Sequence, residues 1–256
     1  MSGLSAELLG RVAEVWIGTS GWSYKHWEKT FYPEKMPPAE NLGFFARHFR
    51  TVEVNYSYYQ LPPRSTFALW RDRSPGGLLF AVKASRYLTH MRKLKDPQEP
   101  LQRLLENASG LGEKLGPVLF QFPRRWRVNL ERLREFFEAL RAHPPHRYAF
   151  EFRHQSWLTG DVYDCLRENN AALCLPIGWE IPLDVQITAD WTYVRFHGGS
   201  RSHFFEDDEL EPWAKRLRAW RDEGIDSYSY FNNDTLWQGR PAAIDNARRL
   251  IQMVGE

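Results

Sequence analysis

Tyr148–Trp157 reads YAFEFRHQSW. Aromatic residues stand at 148, 150 and 152, while Ala149, Glu151 and Arg153 take the alternate positions. Successive side chains of a β-strand point to opposite faces. One face of this strand is therefore large and apolar, and the other presents a carboxylate beside a guanidinium. A solvent-edge strand would turn those charges to water. A strand covered on both sides would turn them into a closed interior, where they need partners or a function.

The flanking sequence decides for the covered strand. Short β-prone runs recur at Val15–Ser20, Thr51–Tyr59, Leu78–Ser85, Gly116–Pro123, Ala171–Ile177, Trp191–Gly198 and Ser227–Asp234, which with the opening stretch makes eight. Helical patterns lie between most of them, at Ala39–Phe49, Arg64–Arg73, Pro97–Leu111, Leu130–Ala142, Thr159–Asn169, Asp207–Asp222 and Pro241–Met253. Asn129 is placed to cap the fourth of these helices. Between the sixth and seventh strands, IGWEIPLDVQITAD has no helical stripe, so the sixth helix is expected to be replaced or shortened. Alternating strands and helices predict a parallel sheet covered by helices, and eight units in 256 residues predict an α/β TIM-type (β/α)8 barrel. A doubly wound open sheet is the competing fold, but no Gly-rich dinucleotide fingerprint follows the first strand. No linker or composition shift divides the chain. Residues 1–14 are expected to be a polar lead-in rather than a signal peptide, and residues 15–254 one barrel domain.

Composition narrows the partners. Net charge is +2, too mild for a dedicated nucleic-acid binder, and no apolar run is long enough to span a membrane. Cys165 and Cys174 have no metal-ligand spacing and are expected to be reduced, in a cytoplasmic protein.

A barrel of this kind carries its functional residues at the C-terminal ends of the strands. Glu53, Asn55, Lys83, Gln121, Glu151, Arg153, Arg195 and His197 are polar residues at those ends and of one parity. Asn232, Asn233 and Asp234 end the eighth strand. Polar groups inside a barrel are costly unless paired, so their recurrence on six strands is informative. The set tilts positive, which suits a small anionic ligand bearing phosphate or carboxylate. Glu151 or Glu53 is the candidate base and His197 the candidate acid or shuttle. Lys83, Arg153 and Arg195 would anchor the anion, and Asn55, Gln121 and Asn232 would orient it. A buried ion network that only fills the barrel is the bland alternative. After the first strand comes a long aromatic loop, in which Trp22 and Tyr24 could form a stacking wall while Phe31 and Tyr32 build a local core. His154 reads as a packing or capping residue, His90 as a surface histidine and Cys174 as core.

No resident cofactor is predicted. A divalent metal on Glu53, Glu151, His197 and Asp234 is a lesser alternative, because the neighbouring cations oppose it. Two other readings are carried: a nucleic-acid-processing protein using Trp22, Tyr24 and Trp126 for stacking with Arg124, Arg125 and Arg201 on phosphates, and a non-catalytic barrel that binds a ligand or partner protein.

The motifs IGTSGWSY, FYP, TVEVNYSYYQLP, FAVKASRYLTH, KLGPVLFQFP, FEFRHQSW, ADWTYVRFHG and YFNND occur in this order between Val15 and Leu250. Together they resemble the domain-of-unknown-function 72 family, the YecE-like proteins. The resemblance implies a TIM-type barrel with Glu53, Asn55, Lys83, Glu151, Arg153, Arg195 and His197 at its mouth. It brings no reaction with it. The stretch TLWQGRPA after the last motif is slightly longer than the family's form.

Overall fold

The computed structural model describes residues 13–178 and 180–255. Eight strands form a closed parallel barrel in sequence order: β1 (Val15–Ser20), β2 (Thr51–Val54), β3 (Leu79–Lys83), β4 (Leu115–Gln121), β5 (Tyr148–Glu151), β6 (Ala172–Ile177), β7 (Trp191–Phe196) and β8 (Asp226–Phe231). Closure is made by β1 against β8, from Val15 opposite Ser227 to Thr19 opposite Phe231. The helices are α1 (Asn41–Phe45), α2 (Tyr56–Tyr59), α3 (Arg64–Arg73), α4 (Gln98–Ala108), α5 (Leu130–Arg141), α6 (Gly160–Glu168), α7 (Asp207–Asp222) and α8 (Ala242–Val254). Asn129 caps α5 by accepting from the Arg132 N–H. A reciprocal capping box of Glu206 and Glu209 starts α7. Among the described residues no helix joins β6 to β7, as the irregular sequence there predicts.

The two-residue period sorts the barrel into two cores. Val52, Val54, Phe80, Val82, Val118, Phe120, Phe150, Leu173, Val194 and Phe196 face outward and pack under the helices. Ala81, Leu119, Ala149, Ala172, Cys174, Trp191, Tyr193, Tyr228 and Tyr230 form a separate inner cluster. Large rings from β7 and β8 are thus accommodated by small residues on β3, β5 and β6. The N-terminal end is closed by Arg147, which donates to Asp226 and to the Tyr228 hydroxyl, both at 2.6 Å. The Glu14 N–H bonds the same aspartate at 2.9 Å, so the end of the lead-in already belongs to the barrel; residues 1–12 lie outside the described residues. Gly18 is required between β1 and β2, since a Cβ there would stand 2.0 Å from the Thr51 carbonyl oxygen.

Several elements end earlier than their sequence patterns. The alternation over Thr51–Tyr59 stops as strand at Val54; Asn55 turns into the α-region and Tyr56–Tyr59 form α2. Ladder pairing is available only as far as the barrel wall extends, so the remaining tyrosines turn into the single helical turn α2. The segment after β3 carries a π-helical turn, Tyr87–Met91, where an irregular loop is expected from sequence. The helix expected over Ala39–Phe49 is a 3-10 turn followed by the short α1, and that expected over Pro97–Leu111 yields after Ala108 to a 3-10 segment. Thr159 precedes α6 without a side-chain capping bond, and Pro241 stands just before α8 rather than inside it. The extra length after β8 forms a two-residue hairpin, Leu236–Trp237 against Arg240–Pro241, turned by Gln238 and Gly239 at positive φ.

Phe150 packs against the rings of Phe120, Phe136 and Phe137 between barrel and helices. Phe150→Ala is expected to cost about 3–5 kcal/mol and to lower the melting temperature by roughly 6–20 °C. A change of a degree or two in calorimetry would mean that the outer core does not depend on this strand.

Candidate functional site

The C-terminal ends of β2, β5 and β7 converge on one guanidinium. Arg195, wholly buried, donates from Nε and Nη2 to the two oxygens of Glu53, at 2.9 and 2.7 Å, and from Nη1 to Glu151 Oε2 at 2.7 Å. Glu53 also accepts from Ser20 Oγ at 2.6 Å and from the Tyr193 hydroxyl at 2.7 Å. Its four donors leave it no role beyond holding charge and position. Glu151 is held on its other oxygen by Arg153 Nε at 2.5 Å. Burial alone would push both carboxyls up. At Glu53 the field and hydrogen bonds of Arg195, helped by Lys83 and Ser20, win and hold it below its usual range. At Glu151 the charges of Arg153 and Arg195 dominate, and it lies well below that range. Arg195, opposed by burial but held by both carboxylates, is raised well above its own.

Lys83 ends β3 at the same mouth, but its ammonium has a different fate. It stands over the Tyr58 ring, 4.3 Å from the centroid, and takes no hydrogen bond among the described residues. Burial lowers its pKa to about 7; Arg195 and Arg153 push the same way, and Glu151 and Glu53 oppose them. The Ser57 hydroxyl lies 2.6 Å from the Lys83 carbonyl oxygen and so fixes α2, and with it Tyr58, beside the lysine.

His197 follows β7. The Asn232 amide donates to Nδ1 at 3.0 Å, which places the imidazole proton on Nε2. Nε2 has no hydrogen-bond partner and faces Glu151 Oε1 at 3.8 Å. Burial depresses this histidine to about 3, so it is neutral at physiological pH. Asn55 continues the chain, donating from Nδ2 to Asn232 Oδ1 at 3.4 Å and leaving its own Oδ1 buried without a partner. Gln121, opposite Glu151 on β4, spends Nε2 on the Phe122 carbonyl at 2.6 Å. The Tyr24 hydroxyl donates to the Ser20 carbonyl at 2.5 Å, and burial pushes its pKa up. Trp22 packs edge-on against Trp70. Together with Asn55, Tyr56 and Tyr59, these two aromatics line a cleft of about 430 Å³.

Thus the eleven candidate residues gather at one end of the barrel, and the eight of shared parity are in three conditions. Glu53, Arg195 and Gln121 are consumed by internal bonds. Glu151 and Arg153 are paired at the rim of that network. Lys83, His197 and Asn55 hold atoms without partners. Some contributors are absent from the sequence reading. Tyr193 shares Arg195's parity, which could have signalled it, and Ser20 ends β1, where its hydroxyl reaches Glu53. Tyr58, within the run expected to be the second strand, lies instead on α2, and His90 lies on the π-helical turn after β3. His90 is half-buried rather than a surface residue: it packs edge-on against Tyr58, and burial with the charges of Lys83, Arg153 and Arg86 lowers it to about 4.

Residues expected elsewhere also find places. Phe31 and Tyr32 are buried in the loop's own core, and His154 accepts from the Ser156 N–H to start a short turn. Trp126 is buried against Phe122 and Trp157, Arg124 meets Glu180, and Arg201 meets Asp208, which leaves the nucleic-acid reading little of its stacking and phosphate set. Asp234 is drawn away from Glu53 and Glu151 by His26 and the Trp27 indole, at 2.9 and 2.8 Å. The four residues considered for a metal therefore do not form a ligand set, and no group of three His, Cys, Asp or Glu side chains does so among the described residues. No helix among them is long and apolar enough to cross a membrane.

Known proteins share this frame. The chain is 25% identical to the UPF0759 protein YunF of Bacillus subtilis over 94% of each, and 26% identical to YecE of Escherichia coli over 43% of this chain and 38% of that one. A DUF72 family protein from Thermotoga maritima, TM1631, superposes with a TM-score of 0.80 and 28% identity, covering 95% of this chain and all of that one. EF0366 of Enterococcus faecalis, at 19% identity and a TM-score of 0.77 over 94% and 96% of the chains, shares the fold. The family model described as "Protein of unknown function DUF72" matches residues 16–256, nearly the whole chain: the protein belongs to the DUF72 family.

Proposed function

We propose that the barrel is an enzyme that performs proton-transfer chemistry on a small anionic molecule at its C-terminal mouth, in the cytoplasm and without a redox cofactor. One observation carries this reading: both carboxylates are committed to arginines, while an ammonium and an imidazole N–H at the same mouth have no hydrogen-bond partner among the described residues. The site has donors to spare and is completed by a ligand rich in acceptors. A phosphate or carboxylate would lie against Lys83 and the partly exposed Arg153. The unpartnered Oδ1 of Asn55 calls for a donor, such as a ligand hydroxyl, and the aromatic cleft beside it suits a flat or ring-shaped body.

The roles follow from the titration order. Lys83 exchanges its proton near neutrality and is the better-poised base than Glu53 or Glu151, both held ionised at low proton affinity. Neutral His197 offers the N–H at Nε2, on the side that faces Glu151, as a donor to oxygen that gains negative charge. Arg153 anchors the anion, and Glu53 with Arg195 fixes the ends of β2 and β7. Non-catalytic filling of the barrel explains Glu53 and Arg195 but not a buried lysine left without a carboxylate, since such a residue lowers stability.

That cost is measurable. Unfolded, Lys83 would bind its proton up to about pH 10.4; folded, it releases it near 7. The penalty of holding the charge in the barrel is therefore complete below pH 7 and disappears as pH rises toward 10. Lys83→Met is expected to melt above wild type at pH 6, with the gain narrowing from pH 7 to 10. A variant that melts lower than wild type at pH 6 would show that the lysine is a structural partner.

The functional reading is tested with the same variant in a thermal-shift screen against inorganic phosphate, phosphorylated metabolites and carboxylates. A ligand at about a hundred times its Kd should raise the wild-type melting temperature by roughly 5–10 °C, and the shift should be mostly lost in Lys83→Met. Equal shifts in both proteins, or none in wild type, would remove the anion site.

A further inference from the structure

We propose that Lys83 is an amine nucleophile that forms an imine with a small carbonyl compound bearing a carboxylate or phosphate group. The inference rests on the anion-site reading above and names its substrate class.

The argument begins with what Lys83 does not do. Two carboxylates lie within its electrostatic reach, yet each is bonded to arginine: Glu53 to Arg195, and Glu151 to Arg153 and Arg195. A lysine kept for charge balance would take a carboxylate oxygen for itself. Lys83 instead rests its terminal nitrogen on an aromatic face at the end of a rigid strand, with 9% of the residue still exposed. A cation–π contact holds the stem in place without giving the nitrogen lone pair a competing donor. The groups facing it are Glu53 from β2, Tyr58 from α2, His90 from the turn after β3, Glu151 and Arg153 at the end of β5, and Arg195 from β7. His90 is neutral, so its edge adds no charge. Burial and the two arginines outweigh the carboxylates, and a large fraction of Lys83 is free amine at pH 7. For a solvent lysine that fraction is about one part in 2,500. An amine of this kind is the group that carbonyl chemistry requires.

The surroundings supply the other parts. Arg153 keeps a partly exposed guanidinium for the substrate's anionic group. The amine nitrogen attacks the carbonyl carbon; a C–N bond forms and the carbonyl π pair moves to oxygen. Oxygen gains one proton and nitrogen loses one, giving a carbinolamine. The proton that the nitrogen loses is the one that the oxygen gains, passed directly or through water; the neutral His197 imidazole, whose Nε2 faces Glu151 Oε1 at 3.8 Å, keeps its own proton and adds a polar N–H beside the reacting atoms. A second proton, taken from solvent water, converts the hydroxyl to water, which leaves as the nitrogen pair closes the C=N bond. No electrons are exchanged with an outside reagent. The positive imine then withdraws electrons from the neighbouring carbon, which is how proton abstraction or C–C cleavage beside a carbonyl becomes accessible.

Reductive trapping tests the assignment on the full chain. The protein is incubated at pH 7 with cyanoborohydride and, separately, pyruvate, glyoxylate, glyceraldehyde 3-phosphate or dihydroxyacetone phosphate, then mapped by mass spectrometry. Hydride reduction of the imine fixes the carbonyl compound's mass, less one oxygen, on the lysine. With oxo acids or with the phosphorylated carbonyls, Lys83 should be modified on the order of tenfold or more above exposed Lys29 and Lys35, and the difference should fall as pH drops below 7. The two arms distinguish a carboxylate-bearing from a phosphate-bearing substrate. Lys83→Met, checked for its melting temperature, should lose that single adduct and keep the background. Labelling of Lys83 no higher than that of the surface lysines would overturn the imine. If anions still stabilise the wild type and not Lys83→Met, only the imine falls; if they do not, the anion-enzyme reading falls with it.

Discussion

The bridge from Arg195 to Glu53 and Glu151 is the contact on which the mouth of the barrel depends. Three formal charges are wholly buried there, and each carboxylate would be costly alone. The guanidinium solves this geometrically: its planar fork meets both oxygens of Glu53 and leaves a third N–H for Glu151. Because the carboxylates sit on β2 and β5, one residue of β7 ties three non-adjacent strands of the barrel across its interior. Removing it would leave Glu53 a buried anion without a bonded cation and Glu151 held by Arg153 alone, a loss on the order of 3–5 kcal/mol. Lysine could not replace it, having a single nitrogen to offer.

The barrel below the bridge is arranged to receive it. The layer beneath holds Tyr193 and Tyr230 among alanines and Cys174, and their hydroxyls are spent on Glu53 and Thr51. Further down, Arg147 and Asp226 form a second ionic closure, under Trp16, Trp191 and Tyr228. The interior is therefore polar at both ends and aromatic between them, with hydroxyl groups making the transition. The outer face of the same strands carries only the apolar demand of helix packing, which explains why Phe120 and Phe150 alternate with Gln121 and Glu151 without conflict.

Much of this was legible because a β-strand's period is short and strict. The parity of Ala149, Glu151 and Arg153 against Tyr148, Phe150 and Phe152 places the charges inside once eight covered strands are counted, and Lys83 and Arg195 follow by the same rule. The rule ends where the strand ends. Asn55 was placed with Glu53 by parity, but it lies in the α-region beyond β2 and reaches the site through its amide contact with Asn232. Tyr58 and His90 come from turns whose direction is set by tertiary contacts, the Ser57 bond to β3 among them. Nor does parity reveal how donors are divided. Glu53 and Glu151 look alike in sequence, yet one accepts four hydrogen bonds and the other retains a face toward His197.

That division separates the fixed from the titrating part of the mouth. Arginine keeps its proton in any protein environment, so Arg195 and Arg153 set a constant field. Lysine and histidine respond to that field. The positive potential that keeps Glu53 and Glu151 ionised against burial joins burial in driving protons from Lys83 and His197, to about 7 and about 3. A neutral histidine bound at Nδ1 by Asn232 has one N–H to give, and its direction is fixed through Asn55 at the edge of the aromatic cleft. A ligand in that cleft that bonds Asn55 therefore acts on the amide chain that orients His197. The buried ion network that holds the strand ends together thus also modulates the protonation of the groups with atoms left for chemistry. Exchanging it for apolar residues of equal volume would keep a barrel and leave Lys83 and His197 depressed by burial, the largest cause of both shifts, while removing the carboxylates that oppose it; the network is part of the site because it tempers that loss of protons.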